Sequence, residues 1–342
     1  MELVAKNDIN YLHKDTGAYL EIFTPIMELT AQQFAIAWPP HEFPVEDDLL
    51  EAKKVLTESE YHALITVLKL FTLYEMRAGE KYWGQRVMNS FSPSCIKAMA
   101  SEFSRTELTI HTVFYNKINQ ALNIDTVEFY NQYLDDPVLK DRIDFIDQYI
   151  NHDDLVLSLA VFSMVEGAIL YANFAYLKHF RVNGKNLMKN LVSGINASVR
   201  DENLHSLGGA ALVKLELQYR KQTIDEYKDQ IYAAAEKIYE HEERVIEMMF
   251  SKGPITGITA IQLQKFVKSR IDACLENLGL PKMFKIKPSD NKIAEWFYDN
   301  INSLKLHDFF NVSGNDYTNK WVEGHFLNPM KDQYKLLLSQ YL

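Results

Sequence analysis

The chain has 342 residues, of which 47% are hydrophobic and 24% are charged, as is usual for a folded soluble protein. Its net charge of −10 argues against nucleic acid as a partner, because binding a phosphate backbone needs clustered Lys and Arg. The two cysteines, Cys95 and Cys274, are too few for a disulfide scaffold or a thiolate metal site, which fits a reducing cytoplasm. No signal peptide is recognisable and no window approaches about 18 uncharged apolar residues, so we expect no membrane segment.

Apolar residues recur at three- and four-residue intervals along most of the chain, and Gly and Pro are few, which predicts a nearly all-α protein. Residues 1–55 contain Trp38-Pro39-Pro40 and Pro44. Because proline interrupts helices, this segment is predicted to be an irregular N-terminal arm.

Four long helices are predicted after this arm, and each carries Glu or Glu with His. The first should begin near Thr57-Glu58-Ser59-Glu60, which offers a cap, and the second should follow the turn Phe91-Ser92-Pro93-Ser94. In chain order they cover residues 57 to about 78–83 with Glu75, residues 94–122 with Glu107 and His111, residues 153–181 with Glu166, and residues 185–220 with Glu202 and His205.

The remaining segments are shorter or less regular. Residues 125–150 are predicted to form short helices, and two further helices are predicted at 223–251 and 257–279. The chain becomes polar from Lys285 onwards. The predicted organisation is therefore an arm over 1–55, a helical domain over 56–285, and a C-terminal region with a flexible tail over 286–342.

The six Glu and His side chains of the four long helices form two similar sets. In each set an acidic residue is followed 32 or 36 residues later by a helix with Glu and His about one turn apart. A four-helix bundle builds a dinuclear carboxylate site in this way, because Glu and His three or four residues apart share a helical face. The predicted ligands are Glu75, Glu107, His111, Glu166, Glu202 and His205.

A single Glu-x-x-His is more often a solvated pair than a ligand set, but Glu166 lies in an apolar run over residues 157–174. A buried charge there is costly unless it is paired or bound to metal. Elsewhere, His241-Glu242-Glu243-Arg244 lacks the second His of a zinc-protease helix and is predicted to be a solvated face, and no glycine-rich phosphate loop occurs.

Three sequence features resemble the small, radical-generating subunit of class I ribonucleotide reductase: Arg200-Asp201-Glu202-Asn203-Leu204-His205, Glu166 before Ile169-Leu170-Tyr171-Ala172-Asn173-Phe174, and His111 followed by Tyr115. The resemblance covers roughly residues 35–310. It implies an all-α, ferritin-like four-helix-bundle core with additional helices, a homodimer, and a dinuclear iron, dimanganese or manganese/iron cofactor that reacts with oxygen. It also implies reduction of ribonucleotides with a separate large subunit.

One position departs from the family pattern. The family usually spaces the Glu and His of the first pair by three residues, whereas Glu107 and His111 are four apart and Leu108 takes the usual place. A π-bulge could absorb the extra residue, Glu107 could reach the metals from a rotated position, or that ligand could be lost.

The resemblance also assigns a radical and its route. Tyr115, one turn after His111, matches the radical tyrosine; if the register is set from Glu107, Phe114 matches instead and the oxidising equivalent would be stored on the metals. Asp201 matches the Asp that fixes the His111 imidazole, and Trp38 matches the Trp of the N-terminal segment.

The family uses an apolar C-terminus to dock on the large subunit and a tail tyrosine to pass the radical on. Tyr317, Tyr334 and Tyr341 are candidates for the tyrosine, and the run Leu336-Leu337-Leu338 suits a segment that enters a groove. Tyr334, Leu338, Tyr341 and Leu342 are the predicted docking residues.

Two other functions share the ligand set. A ferritin-like di-metal oxidase or monooxygenase would keep the ligands without needing Trp38, Asp201 or the tail tyrosine. A non-enzymatic iron-binding bundle would need neither Tyr115 nor an apolar tail. The reductase subunit is therefore the leading hypothesis.

Overall fold

A computed structural model describes residues 3–182 and 184–299. These residues are almost entirely helical, and within them the only β-type pairing is an isolated antiparallel bridge between Ile255 and Ile258. The prediction of an all-α protein is confirmed.

Short connections join the helices, and three of the helices contain a central π-helical segment. In chain order they are α1 (Thr24–Ile36), α2 (Val45–Val55), α3 (Glu58–Met76, π-helical Arg77–Val87, Met88–Ser90), α4 (Ser94–Thr106, π-helical Glu107–His111, Thr112–Leu122), α5 (Val127–Asp135), α6 (Pro137–Ile150), α7 (Leu155–Met164, π-helical Val165–Ile169, Tyr171–Lys178), α8 (Lys189–Arg220), α9 (Lys228–Met249), α10 (Ala260–Leu278) and α11 (Ala294–Phe297).

The core is the ferritin-like four-helix arrangement that the sequence predicts. Helix α7 packs along α8, and α3 packs along α4, while α9 and α10 cover the outside of α3, α7 and α8. Helix α3 begins where predicted: Thr57 is its N-cap, Glu60 N donates to Thr57 Oγ1 at 3.3 Å, and Thr57 N donates to Glu60 Oε2 at 2.9 Å. This reciprocal pair satisfies two backbone donors that a helix start leaves free.

The prediction of an irregular arm over residues 1–55 is wrong, because α1 and α2 lie within it. The prolines fall where a helix tolerates them: Pro25 is in the first turn of α1, and Pro44 is the N-cap of α2. At these positions the missing N–H has no helical partner to lose. Helix α1 packs against α4 and α8, so this segment belongs to the fold.

Helix α2 fixes the start of α8. The Asp48 carboxylate accepts hydrogen bonds from the backbone N–H groups of Asn190 at 2.5 Å and Leu191 at 2.9 Å. The N-cap residue of α8, Met188, has a left-handed backbone and offers no side-chain cap. Asp48 therefore supplies, from another helix, the acceptor that the N-terminus of α8 lacks.

Helix α7 is more apolar than the sequence analysis allowed. The segment Leu155–Arg181 is long and apolar enough to cross a membrane, contrary to our expectation, but 94% of its most apolar window is buried inside the structure. It is therefore the central helix of the bundle, which explains why its apolar residues do not follow a single face.

The prediction that His241 and Glu242 lie on a solvated face is also wrong, since both are fully buried. Helix α9 is packed against α3, α6 and α7, which turns this face inward. Glu242 pairs there with Arg142 at 2.8 Å, and the same guanidinium donates to the carbonyl oxygen of Ile169 at 2.8 Å. Burial raises the pKa of Glu242 to about 7, and the positive charge of Arg142 offsets only part of this rise.

Candidate metal centre

The six predicted ligands meet in the middle of the four-helix core. Each is at most 1% exposed, although four are acidic and two are imidazoles. Helix α3 contributes one, α4 two, α7 one and α8 two: Glu75, then Glu107 and His111, then Glu166, then Glu202 and His205.

The ligand atoms form two groups that share two carboxylates. One group is Glu75, Glu107, His111 and Glu202, and the other is Glu107, Glu166, Glu202 and His205; within each, the ligand atoms lie within 4.8 Å of one another. Because Glu107 and Glu202 belong to both groups, each can bridge two ions, and each ion then keeps one imidazole of its own.

Distances around the two imidazoles describe the same arrangement. His111 Nδ1 lies 2.9 Å from Glu107 Oε2 and 3.2 Å from Glu202 Oε1. His205 Nδ1 lies 2.5 Å from Glu107 Oε1 and 3.8 Å from Glu202 Oε2. The Nδ1 atoms of both rings therefore face the shared carboxylates.

The irregular spacing of Glu107 and His111 coincides with a π-helical segment, which is one of the three predicted solutions. Leu108 points towards α3 instead, where a Cβ atom placed on Gly79 would lie 2.7 Å from Leu108 Cγ and 2.8 Å from Glu107 Cβ. Only glycine allows α3 and α4 to approach so closely. The wider helical turn thus directs both Glu107 and His111 inward.

The charges in the cluster are unbalanced. Burial raises the pKa of Glu75 well above its usual range, and the nearby Glu107 charge adds to this rise. In contrast, the positive charges of His111 and His205 overcome burial and lower the pKa of Glu107. The carboxylates of Glu107 and Glu202 overcome burial and raise the pKa of His205 to about 9. The positively charged form of His205 is therefore favoured among these carboxylates.

The donor set fits two divalent cations. Both carboxylate oxygens of Glu75 and of Glu202, Oε2 of Glu166, and Nε2 of His205 have no hydrogen-bond partner among the described residues. Unpaired buried groups of this kind are costly. Two divalent ions would neutralise the four carboxylates, and mixed oxygen and nitrogen donors suit iron or manganese.

Asp201, which adjoins Glu202 on α8, connects the centre to the N-terminal segment. Its Oδ2 accepts from Trp38 Nε1 at 2.8 Å and lies 2.9 Å from His111 Nε2, and its Oδ1 accepts from Gln33 Nε2 at 2.8 Å. The bond to Asp201 holds the proton of His111 on Nε2 and leaves Nδ1 for a metal. The three predicted residues Trp38, Asp201 and His111 thus form one continuous chain.

Tyr115 and Phe114 take different sides of α4. Tyr115 is fully buried, with its ring centroid 4.5 Å from that of Phe71 and 6.3 Å from that of His111. Phe114 packs against Trp38 with ring centroids 5.4 Å apart. Burial, and then the charge of Glu75, raises the pKa of Tyr115, so its hydroxyl is within electrostatic reach of the ligands.

A comparison with known families decides the identity of this fold and site. The family model for the ribonucleotide reductase small chain matches residues 23–292, which include all six ligands. This chain belongs to the ribonucleotide reductase small-chain family. It is therefore a small subunit of a ribonucleoside-diphosphate reductase, an oxidoreductase that works with a large subunit.

Individual relatives of this ribonucleotide reductase small chain are distant but nearly full-length. It is 23% identical over 327 residues to a probable ribonucleoside-diphosphate reductase small subunit of Invertebrate iridescent virus 6, with 84% of this chain and 89% of the relative covered. It is 26% identical over 309 residues to the ribonucleoside-diphosphate reductase subunit beta of Bacillus subtilis, with 86% and 88% covered.

Solved structures confirm the fold of this ribonucleotide reductase small chain. A putative class I ribonucleotide reductase from Bacillus halodurans superposes with a TM-score of 0.72 at 21% identity, covering 80% of this chain and all of that one. The dimanganese(II)-NrdF protein of Streptococcus sanguinis superposes with a TM-score of 0.70 at 19% identity, covering 83% and 98%.

Two residues near the centre of this reductase subunit were missed in the sequence. Trp83, from the π-helical part of α3, donates from Nε1 to Glu166 Oε1 at 2.7 Å, and its ring centroid lies 6.1 Å from that of His205. Gln33 of α1 was missed because its segment was read as irregular. No spacing rule marks Trp83, since a π-helical segment separates it from Glu75.

The predicted docking residues of the reductase tail, Tyr334, Leu338, Tyr341 and Leu342, lie outside the described residues, as does Tyr317. Their roles stay predictions.

Proposed function

We propose that this small chain holds a dinuclear iron or manganese centre, uses oxygen to generate a radical on Tyr115, and passes the radical to the large subunit for reduction of ribonucleotides to deoxyribonucleotides. The observation that carries the proposal is the meeting of six buried ligands beside Tyr115, with Asp201 linking the ligand His111 to Trp38. The residues would hold two metal ions, whose chemistry with dioxygen would supply the oxidant for one-electron oxidation of a phenol.

The residues around the centre divide the remaining tasks. Glu107 and Glu202, which belong to both groups of ligand atoms, would be shared by two metal ions, Glu75 and Glu166 would each hold one ion, and His111 and His205 would each supply one nitrogen. The pocket of Tyr115 excludes water, because its ring is fully buried beside Phe71. Exclusion of water protects a phenoxyl radical from side reactions.

The route outward begins at His111 and passes through Asp201 to Trp38. Both contacts of Asp201 Oδ2 are hydrogen bonds shorter than 3 Å between fully buried groups, apart from Trp38, which is 4% exposed. Trp38 thus stands between the buried centre and the protein surface. Neither a di-metal oxidase of the same architecture nor an iron-storage bundle needs such a chain, which favours the reductase.

The proposal includes the partners and location that the resemblance implies. The subunit forms a homodimer in the cytoplasm, and its tail, with Tyr334, Leu338, Tyr341 and Leu342, docks on the large subunit. A tail tyrosine then passes the radical to the partner, and nucleotides bind to the large subunit alone.

Electron paramagnetic resonance tests the radical assignment. Full-length protein given ferrous ion and oxygen should show a tyrosyl radical, and Tyr115→Phe should abolish it, because only the phenolic oxygen distinguishes the two side chains. Tyr82→Phe is the matched control, since Tyr82 is also fully buried and its hydroxyl also lacks a hydrogen bond. A tyrosyl signal that survives Tyr115→Phe would remove Tyr115 from this role.

A further inference from the structure

The hydroxyl of Ser198, like those of Thr112 and Ser158, is buried in a helix without a hydrogen bond to the described residues. Ser193 on the same helix donates to the carbonyl oxygen of Lys189 at 2.9 Å, and Thr66 on α3 donates to that of His62 at 2.9 Å. Such bonds to the preceding turn are the usual solution for a hydroxyl inside a helix. Ser198 is fully buried, yet its Oγ makes no hydrogen bond to any described residue.

The face of α8 that carries Ser198 runs beside the radical-bearing part of α4. Gly194, Ser198 and Glu202 are successive members of this face, because residues four apart lie about 40° from one another around a helix. A Cβ atom placed on Gly194 would lie 2.2 Å from the Phe114 ring, and Glu202 Oε1 lies 3.2 Å from His111 Nδ1. His205 Nδ1 in turn lies 2.5 Å from Glu107 Oε1, so one turn back along α8 corresponds to one turn forward along α4, and Ser198 lies level with the turn that follows His111.

Tyr115 occupies that level, and its hydroxyl is also without a hydrogen bond to the described residues. Burial and the charge of Glu75 raise its pKa, whereas the positive charge of His111 and the hydroxyl of Ser198 act in the opposite direction. The two hydroxyls are thus neighbours in a pocket from which water is excluded. Two adjacent buried hydroxyls without other partners are complementary, since each can donate and accept.

We propose that Ser198 is a positioning residue for the radical, and that its hydroxyl donates a hydrogen bond to the phenolic oxygen of oxidised Tyr115. This inference rests on the proposed function. Oxidation of Tyr115 would remove one electron, which the oxidised metal pair of the proposed function would accept, and would break the phenolic O–H bond, with the proton passing to a carboxylate of the centre. The phenoxyl oxygen is then an acceptor only, and Ser198 Oγ is the free donor beside it.

The hydrogen bond is measurable on the radical itself. Full-length protein given ferrous ion and oxygen in heavy water is examined by electron-nuclear double resonance and by high-field electron paramagnetic resonance. Wild type and Ser198→Thr should show an exchangeable deuteron coupled to the Tyr115 radical, and Ser198→Ala should lose this coupling and show a higher gx. Ser193→Ala is the matched control and should behave as wild type.

An unchanged deuteron coupling in Ser198→Ala would overturn the inference while leaving the Tyr115 radical intact. A second measurement decides the case in which wild type forms no tyrosyl radical, which would be a failure of the proposed function. In metal-free full-length protein carrying 3-fluorotyrosine at position 115, Ser198→Ala should shift the fluorine resonance and Ser193→Ala should not. No shift in Ser198→Ala would also overturn the pairing of the two hydroxyls.

Discussion

Asp201 is the residue on which the connection between metal centre and surface depends. Its two oxygens accept from an indole, a primary amide and an imidazole, all within 2.9 Å. A buried carboxylate with three donors is well compensated, because hydrogen bonds to an ionised acceptor are the stronger ones. The same bonds fix the orientation of the His111 ring, so Asp201 holds both the candidate metal ligand and the first step of the proposed radical route.

Removing the indole donor should separate radical formation from radical use. In Trp38→Phe the aromatic packing against Phe114 is retained, but Asp201 Oδ2 loses one of its donors. We expect a tyrosyl radical signal close to that of wild type and loss of ribonucleotide reduction with the large subunit. Radical yield by electron paramagnetic resonance and turnover are measured on the same sample. Normal turnover in Trp38→Phe would exclude Trp38 from the route.

Trp83 controls which oxygen of Glu166 is available. Its N–H occupies Oε1, so Oε2 is left for a metal, and the pKa of Glu166 is raised by burial and by the charges of Glu202 and Glu107 while the bond from Trp83 lowers it. A donor of this kind favours the ionised carboxylate that a metal needs. Trp83 is thus a support for the ligand on α7.

Trp83→Phe should weaken metal binding, because the ring is kept and the N–H is lost. Loss of a group that orients a ligand lowers metal affinity by about 10- to 100-fold. Calorimetric titration with manganous ion measures the affinity and stoichiometry. Trp296→Phe, in the short helix α11, is the control and should bind as wild type does. Equal affinities for all three proteins would contradict the role of Trp83.

At the scale of the elements, the π-helical segments direct the candidate ligand side chains towards the centre of the bundle. One contains Glu107 and His111, one contains Glu166, and one follows Glu75 directly. The sequence could indicate only the first, through the spacing of a Glu and a His, because a single wider turn barely changes a hydrophobic pattern. Each of the other two π-helical segments contains or follows a single Glu, so no spacing between ligands could indicate a wider turn there.

The four long helices and the meeting of their six Glu and His side chains were predictable, because a carboxylate within an apolar run and a repeated Glu and His spacing are local signals. The helices within residues 1–55 and the burial of His241 and Glu242 were not predictable, because each depends on contacts with residues that are distant in the sequence. In the sequence, the prolines near α1 and α2 indicate helix breaks, and only the structure shows that they lie at helix starts. The sequence around Glu242 predicts a solvated side chain, because its ion-pair partner Arg142 lies on another helix.

Asp48 shows how an element outside the bundle positions one within it. Asp48→Ala should remove the acceptors of two backbone N–H groups at the start of α8, which carries Glu202 and His205. Loss of a helix cap costs about 1 kcal/mol of unfolding free energy. Urea denaturation measures the difference. Asp47→Ala, an exposed neighbour on α2, is the control and should change stability by less than about 0.5 kcal/mol.

At the scale of the whole molecule, the fold encloses one cluster of buried Glu and His side chains and links it through hydrogen bonds to Trp38. Two divalent metal ions would match the charge of the four buried carboxylates, and Trp38, which is 4% exposed, lies at the end of the hydrogen-bonded chain. The small chain has no glycine-rich phosphate loop in its sequence. In the proposed function this subunit produces the radical and the large subunit binds the nucleotide, so the complex between them must be specific.

We expect specificity for the large subunit to reside in the C-terminal residues. Replacing residues 330–342 with a Gly-Ser segment of equal length removes Tyr334, Leu338, Tyr341 and Leu342, and should strongly reduce affinity for the large subunit. The metal content and the Tyr115 radical should not change, because their residues all lie before position 206. Surface plasmon resonance measures the affinity, and metal analysis with electron paramagnetic resonance measures the rest. If the exchanged tail binds as tightly as wild type, docking resides on the helical domain, and the exposed surface near Trp38 becomes the region to test.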